Sequence, residues 1–273
     1  MSARLSGVGL HGGRPATIFL RRVAGPSRFV VGAASVELSA PSVARVDQGV
    51  SIAVGDATLD LVEHAAAALG GLGLRSGVAV EVDGGEVPLL DGGAAEITRA
   101  LGALGVAPSS PRLVVARAWR LEVGASVYAI EPAGEVSLSC DVEFDHPLIG
   151  AQRAVFHGDP AEFAREIAPA RTFGFARDHA ALLARGRARA VPMDAVVVFD
   201  DAGLAPGCEL AWPDEPARHK LLDLIGDLAL YGGPPRGRVS AVRPGHAATH
   251  AFVRAALAEG ALTRVDWIHP APC

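Results

Sequence analysis

The chain has 273 residues, half of them hydrophobic, so it can form one large globular domain or two small ones with a sizeable core. Its net charge of -5 argues against a nucleic-acid-binding protein, because contacts with phosphates need concentrated Lys and Arg. No apolar run approaches the roughly 18 residues of a transmembrane segment, and the first residues lack the apolar core of a secretion signal, so we expect a cytoplasmic protein.

Short strands alternate with helices through the first half of the chain. Apolar residues at strand and helix spacing predict strands at 16–21, 28–31 and 78–82 and helices at 59–69 and 94–104. The first helix is rich in alanine, and the second is predicted to end at a glycine, which commonly terminates helices. This order of elements indicates an α+β unit.

A proline- and serine-rich segment at 107–111 interrupts this pattern. Its two prolines and two serines resist both helix and sheet, so we interpret it as a linker. The chain is therefore predicted to form two α+β domains, at 1–108 and 112–268. Beyond the linker the predicted strands are 113–116, 127–130, 136–142 and 239–242, the predicted helices are 161–167, 216–231 and 249–259, and 176–199 is a mixed segment.

Short side chains that commonly bind metals follow one face of the predicted helix 216–231. His219, Asp223 and Asp227 are spaced four residues apart, which places them on the same side of a helix. A step of four residues rises about 6 Å, so His219 and Asp223 can bind one cation from successive turns. Exposed helix faces usually carry long Lys and Glu side chains instead, but an ordinary amphipathic helix with its polar side in water stays open as the alternative.

The adjacent pair Glu63 and His64 offers a further metal ligand. The three cysteines are widely spaced without a CxxC pair, so they do not form the pattern of a cysteine zinc site. With His219 and Asp223, His64 would complete two imidazoles and one carboxylate, the number of protein ligands that leaves a catalytic zinc one open position. Glu63 would point about 100° away and could reach a water there. The alternative is a surface Glu beside a buried, hydrogen-bonded His.

Two other segments carry candidate catalytic side chains. His246 is predicted to lie in a loop after a strand, and Asp227 could hold its imidazole in the charged form. The segment 170–175 combines Thr172 with two aromatic rings and a glycine, and its alternative interpretation is a core strand with a bend.

Seven short motifs extend over nearly the whole chain. They are 6–13, 62–64, 87–92, 144–147, 170–175, 218–223 and 245–246. In this order they resemble the motifs of the UDP-3-O-acyl-N-acetylglucosamine deacetylase family, the zinc amidases of lipid A synthesis. The resemblance implies two similar α+β domains, each a small sheet layered with helices, which face each other so that the active site lies between their helical layers.

The resemblance also implies a cofactor, a substrate and a role for each candidate residue. The cofactor would be Zn²⁺, or Fe²⁺ in its place, and the substrate would be UDP-3-O-acyl-N-acetylglucosamine, whose N-acetyl amide is hydrolysed to acetate and a free amine. The implied metal ligands are His64, His219 and Asp223. The other implied roles are Glu63 as general base, His246 as the imidazolium that acts on the leaving amine, Asp227 as its orienting carboxylate, Thr172 as oxyanion donor, and Phe173 and Lys220 as contacts to the sugar nucleotide.

The segment 183–194 departs from the family pattern. Arg185, Arg187 and Arg189 stand where the family has an apolar stretch that forms a passage for the acyl chain. A guanidinium along a hydrocarbon channel is costly unless it points outward or meets an acid, so we expect the passage to be narrower, differently shaped or absent. Weaker use of long-acyl substrates is the expected consequence.

Two alternative functions stay open at this point. One is a zinc amidase of the same family that acts on a different N-acetylated amino sugar or sugar nucleotide. The other is a non-catalytic relative that only binds its ligand, although a binding protein has no need of a general base. The sequence gives no oligomeric state. The remaining histidines His157, His179, His250 and His269 are assigned to the surface or to packing.

Overall fold

The computed structural model describes residues 1–39, 43–46 and 49–265. Its largest sheets are two five-stranded sheets. The end of the predicted second domain, 266–268, and His269 lie outside the described residues. Mixed sheets and helices confirm the predicted α+β class. The exact boundaries of the two domains stay a prediction.

The first sheet and its helices come from the N-terminal part of the chain. The elements are β1 (Ser2–Val8), β2 (Pro15–Pro26), β3 (Arg28–Val31), β4 (Ala34–Glu37), β5 (Val43–Val46), β6 (Val50–Val54), β7 (Ala57–Leu59), α1 (Glu63–Gly71), β8 (Ser76–Asp83) and α2 (Ala95–Gly102). The strand order of the large sheet is β1-β2-β8-β3-β4, and β5, β6 and β7 form a small antiparallel sheet.

The second sheet comes from the C-terminal part of the chain. The elements are β9 (Leu113–Val115), β10 (Trp119–Val123), β11 (Ser126–Glu131), β12 (Val136–Phe144), β13 (Gly150–Phe156), α3 (Pro160–Glu162), β14 (Thr172–Phe175), α4 (His179–Ala184), β15 (Val196–Phe199), α5 (Glu215–Ala229), β16 (Gly237–Val242), α6 (His246–Ala258) and β17 (Leu262–Arg264). The strand order of the large sheet is β10-β11-β16-β12-β13.

The two large sheets share one topology. In each, the strand that comes last in the chain lies between the second and the third, so the order is first, second, fifth, third, fourth. The inserted strand pairs parallel with its third-strand neighbour, β8 with β3 and β16 with β12, while the other pairs are antiparallel. The two halves are therefore built alike, as the family resemblance implies.

Helices α1 and α5 pack against each other between the two halves. All nine residues of α1 are buried, which explains its alanine-rich sequence, because a helix covered on every side cannot carry a polar face in water. Gly226 of α5 lies against the backbone of Glu63, where an added Cβ would overlap the carbonyl oxygen. The other side of α5 packs on β12 and β13.

The differences from the predicted elements have local causes. The helix predicted at 59–69 begins only at Glu63, because β7 ends at Leu59 and Leu61 has a positive φ of 60°. His246, predicted in a loop, is the first residue of α6. The edge strand β1 was not predicted, since none of its side chains is fully buried and its alternation is weak.

No helix among the described residues has both the length and the apolar composition that a membrane-spanning helix needs.

Arg75 ties the two halves together from a buried position. Its guanidinium donates to the carbonyl oxygens of Ser109 at 2.9 Å, Gly232 at 3.3 Å and Pro234 at 3.4 Å. Burial lowers the pKa of Arg75 to about 10, so the side chain is still charged at neutral pH. One side chain thus donates hydrogen bonds to three backbone carbonyl groups, one in the predicted linker and two in the turn after α5.

We predict that Arg75→Met lowers the free energy of unfolding by about 1–3 kcal/mol, because the substitution leaves buried carbonyl groups without donors. Urea denaturation measures the change. The matched control is Arg120→Met, whose side chain is 61% exposed and should change stability by no more than about 0.5 kcal/mol. Equal denaturation midpoints for the two variants would contradict the role of Arg75.

Candidate metal and active site

The three side chains proposed as metal ligands from the sequence lie together in the structure. His64 is the second residue of α1, and His219 and Asp223 lie one turn apart on α5. One ligand atom from each lies within 4.8 Å of the other two. Asp223 Oδ1 is 3.9 Å from Nε2 of His64 and 3.5 Å from Nε2 of His219. All three residues are buried, so the packing of α1 on α5 builds a cluster that could hold one cation.

Hydrogen bonds orient two of these side chains. His219 Nδ1 lies 3.0 Å from the carbonyl oxygen of Ala170, which can only accept, so Nδ1 carries the proton and Nε2 keeps its lone pair. Lys220 Nζ donates to Asp223 Oδ2 at 2.9 Å and leaves Oδ1 facing the imidazoles. The donor atoms are thus presented toward one point, which is the arrangement that a metal requires.

The protonation states also fit metal binding. Burial, followed by the charge of His219, lowers the pKa of His64 to about 3, and burial lowers the pKa of His219 as well. Burial alone would raise the pKa of Asp223, but Lys220 and the imidazoles outweigh it and hold the pKa below its usual range. Neutral imidazoles and an ionised carboxylate are the forms that bind metals.

Glu63 lies beside this cluster at the start of α1. It is 3% exposed, and its Oε2 accepts a hydrogen bond from the backbone N–H of Val50 at 3.0 Å. Burial raises the pKa of Glu63 to about 7, against the opposing charge of His246. A carboxyl group that titrates near neutral pH can exchange a proton with a reacting group under ordinary conditions.

His246 faces the cluster from the first residue of α6. Its Nε2 lies 3.9 Å from both Glu63 Oε1 and Asp223 Oδ2, and its Nδ1 lies 3.0 Å from both oxygens of Asp227. Burial alone would lower the pKa of His246, but Asp227 and Asp223 outweigh it and raise the pKa to about 10. The imidazole is therefore positively charged at neutral pH and stands opposite a carboxyl group.

Thr172, Phe173 and Lys220 lie on the open side of the cluster. Thr172 and Phe173 begin β14, and all three residues border a cavity of about 750 Å³. The ring of Phe173 meets the His219 ring edge-on with centroids 6.2 Å apart, and Lys220 Nζ is 5.9 Å from the Phe173 ring centroid. The structure thus brings all nine side chains singled out from the sequence to one region.

The sequence did not single out Arg171 and Glu215 as partners. The guanidinium of Arg171 donates from Nε to Oε1 of Glu215 at 2.9 Å and from Nη2 to Oε2 at 3.1 Å. Glu215 is 1% exposed and also accepts from the backbone N–H of Ala211. The pair fixes the residue before Thr172 to the start of α5, four residues before His219. That spacing and the position of Arg171 next to Thr172 were the available signals.

The cavity beside the cluster corrects part of the expectation for segment 183–194. Its wall is largely apolar and includes Leu10, Phe175, Leu182, Val191, Val196 and Val198. Arg185 also borders it. The apolar side chains of α4, β14 and β15 still enclose a space, so a complete absence of the passage is not observed. Whether the chain uses long-acyl substrates less stays a prediction.

Comparison with known proteins identifies the family. A family model described as UDP-3-O-acyl N-acetylglycosamine deacetylase matches residues 1–258. Proteins named UDP-3-O-acyl-N-acetylglucosamine deacetylase are similar over most of the chain. The relative from Anaeromyxobacter dehalogenans (strain 2CP-C) is 40% identical, with 95% of this chain and 86% of the relative covered.

Two further relatives carry the same name. The protein from Myxococcus xanthus (strain DK1622) is 37% identical, with 94% of this chain and 84% of the relative covered. The protein from Brucella melitensis biotype 2 (strain ATCC 23457) is 35% identical, with 93% and 92% covered. The resemblance inferred from the seven motifs is confirmed, and the chain belongs to the UDP-3-O-acyl N-acetylglycosamine deacetylase family.

Proposed function

We propose that the protein is a metal-dependent deacetylase of lipid A biosynthesis. It hydrolyses the N-acetyl amide of UDP-3-O-acyl-N-acetylglucosamine and releases acetate and a free amine. The observation that carries this proposal is the convergence of a carboxyl group, a charged imidazole and three side chains that could hold a metal at one buried point. The family and the names of its relatives support the substrate class.

His64, His219 and Asp223 would bind Zn²⁺, since two imidazole nitrogens and one carboxylate oxygen leave one coordination position open for chemistry. The same ligands accept Fe²⁺, because imidazole and carboxylate suit both ions. When bound, the metal supplies Lewis-acid polarisation of the amide carbonyl and of the attacking water. The metal-free protein would lack this polarisation.

Glu63 and His246 would carry out the two proton transfers. The Glu63 carboxylate takes a proton from the attacking water, for which a pKa of about 7 is well matched to neutral conditions. His246, charged at neutral pH, gives the proton on Nε2 to the leaving amine. Asp227 holds Nδ1 of that imidazole at 3.0 Å and keeps Nε2 directed at Glu63.

The remaining side chains would bind the substrate. The hydroxyl of Thr172 donates to the oxyanion that develops at the amide carbonyl. Lys220 and Phe173 contact the sugar nucleotide from the wall of the cavity, and the apolar part of the cavity receives the acyl chain.

The two halves of the chain and its location complete the proposal. Domains at 1–108 and 112–268 would each contribute one of the two similar five-stranded sheets. Helices α1 and α5, which pack on each other, would bring side chains of the two domains together. The enzyme would act in the cytoplasm on a nucleotide-linked substrate.

We predict that Glu63→Gln lowers kcat by at least about 100-fold while the bound metal is retained, because an amide cannot accept the proton of the attacking water. Amine release and metal content measure the two effects. The control is Glu122→Gln, whose carboxyl group is 60% exposed, and its activity should match the wild type. Undiminished hydrolysis in Glu63→Gln would contradict the general-base role.

Removal of the metal should abolish hydrolysis. We expect a chelator to remove both the metal and the activity, and added Zn²⁺ to restore both, because the carbonyl is otherwise not polarised. His219→Ala should lower the metal content of the purified protein, whereas His157→Ala, whose side chain is 67% exposed, should not. Full activity in protein shown to be free of metal would refute metal dependence.

Arg185 is an exposed residue that borders the cavity, and we expect it to limit the use of long acyl chains, because a charged side chain beside an apolar wall opposes the burial of methylene groups. We predict that Arg185→Leu raises kcat/KM for a long-acyl substrate relative to the unacylated sugar nucleotide by about fivefold or more. The control is Arg153→Leu, at a side chain that is 60% exposed. An unchanged ratio in Arg185→Leu would show that this arginine does not select the acyl chain.

A further inference from the structure

Asp227 is contacted by two histidines and not only by His246. His246 and His250 lie one turn apart on α6, so both side chains point to the same side of that helix. Nε2 of His250 lies 3.4 Å from Asp227 Oδ1, while Nδ1 of His246 lies 3.0 Å from the carboxylate. His250 is completely buried, and the sequence alone gave it no role beyond surface or packing.

Tyr231 fixes the ring of His250 from the opposite side. Its hydroxyl lies 3.0 Å from Nδ1 of His250, and the two rings have centroids 5.5 Å apart. An ionised carboxylate can only accept, so a proton on Nε2 of His250 would face Asp227. Nδ1 would then accept from the hydroxyl of Tyr231.

Nε2 of His250 is a buried nitrogen that makes no well-aligned hydrogen bond among the described residues. The carboxylate oxygen Oδ1 of Asp227 lies 3.4 Å from it. Buried polar groups in folded proteins nearly always have a partner, so an exception calls for a physical reason. Catalytic hydrogen bonds are often long in the ligand-free state and shorten when substrate binds. A separation of 3.4 Å is consistent with such a bond.

We propose that His250, held by Tyr231, is a positioning residue that fixes the Asp227 carboxylate and thereby directs the His246 imidazole at Glu63 and the metal-binding cluster. This inference rests on the proposed function, in which His246 protonates the leaving amine. His250 has no exposed surface and cannot touch substrate, so its effect passes through Asp227. A small misplacement of a catalytic group is enough to lower the rate strongly.

The decisive comparison is between His250→Leu and His250→Gln. Leucine removes the donor to Asp227, whereas the glutamine amide nitrogen reaches about as far as Nε2 and keeps a donor there. We expect His250→Leu to lower kcat by about 10- to 100-fold with KM changed less than about threefold, and His250→Gln to restore kcat to within about threefold of the wild type. Equal losses in both variants, or a loss confined to KM, would overturn the proposal.

A second pair of variants decides the matter if His250→Leu does not fold. Tyr231→Phe removes the hydroxyl that orients His250, and kcat should fall by about 3- to 10-fold. Tyr128→Phe is the matched control, because it also removes a buried tyrosine hydroxyl. That hydroxyl is hydrogen-bonded to Thr249 of the same helix at 2.9 Å and not to Asp227 or either imidazole. Its kcat should match the wild type. Indistinguishable kcat values for the two variants would overturn the positioning role.

A measurement without substrate separates this inference from the proposed function. Nitrogen-15 NMR of the histidine rings should show a proton on Nε2 of His250, and the Nδ1 proton signal of His246 should shift in His250→Leu but not in His250→Gln. A His250 ring without a proton on Nε2, or a His246 signal that is unchanged in His250→Leu, would overturn the network even in an active enzyme. Wild-type protein without deacetylase activity, with these NMR results intact, would overturn the proposed function alone.

Discussion

The close crossing of α1 and α5 is the constraint on which the rest of the site depends. Gly226 places the backbone of α5 against that of Glu63, and a side chain at this position would push the helices apart. His64 and Glu63 come from α1, whereas His219, Asp223 and Asp227 come from α5. Side chains from the two halves of the chain can therefore converge within 4.8 Å only because the helices that carry them touch.

This crossing also buries several carboxyl groups close together, and nearby cationic side chains offset their charge. Three carboxyl groups, Glu63, Asp223 and Asp227, are buried within about two helical turns of one another, and buried charges are costly unless they are paired. Lys220 and the charged His246 neutralise two of them. Burial raises the pKa of the third carboxyl group, Glu63, to about 7, although the charge of His246 opposes the rise. The same arrangement places a carboxyl group that titrates near neutral pH beside a charged imidazole.

Much of this site could be predicted from local sequence, because its parts are short motifs. The spacing of His219 and Asp223 predicted that both side chains lie on one face of a helix, and the structure places them one turn apart on α5. His246 and Glu63 could be singled out, but not their separation of 3.9 Å, since the contact joins residues 183 positions apart in the chain. It depends on α6 and α1 both packing on α5.

Other features lay beyond the sequence for a physical reason. His250 belongs to none of the seven motifs. Its proposed role follows only from the packing of α6 on α5, which places it next to Asp227. The edge strands such as β1 bury little surface and so leave a weak alternation in the sequence. The arginines of segment 183–194 suggested a passage that is narrower, differently shaped or absent, whereas side chains of α4 and β15 help to enclose a cavity of about 750 Å³.

The central proposal is that one divalent ion is bound jointly by a histidine from the first half of the chain and by a histidine and an aspartate from the second. A crystal of the protein purified with its metal, with anomalous diffraction recorded on both sides of the zinc absorption edge, tests this most directly. We expect a single strong anomalous peak within bonding distance, about 2.0–2.2 Å, of His64 Nε2, His219 Nε2 and Asp223 Oδ1. A peak bound elsewhere, or a fully active crystal without one, would contradict it.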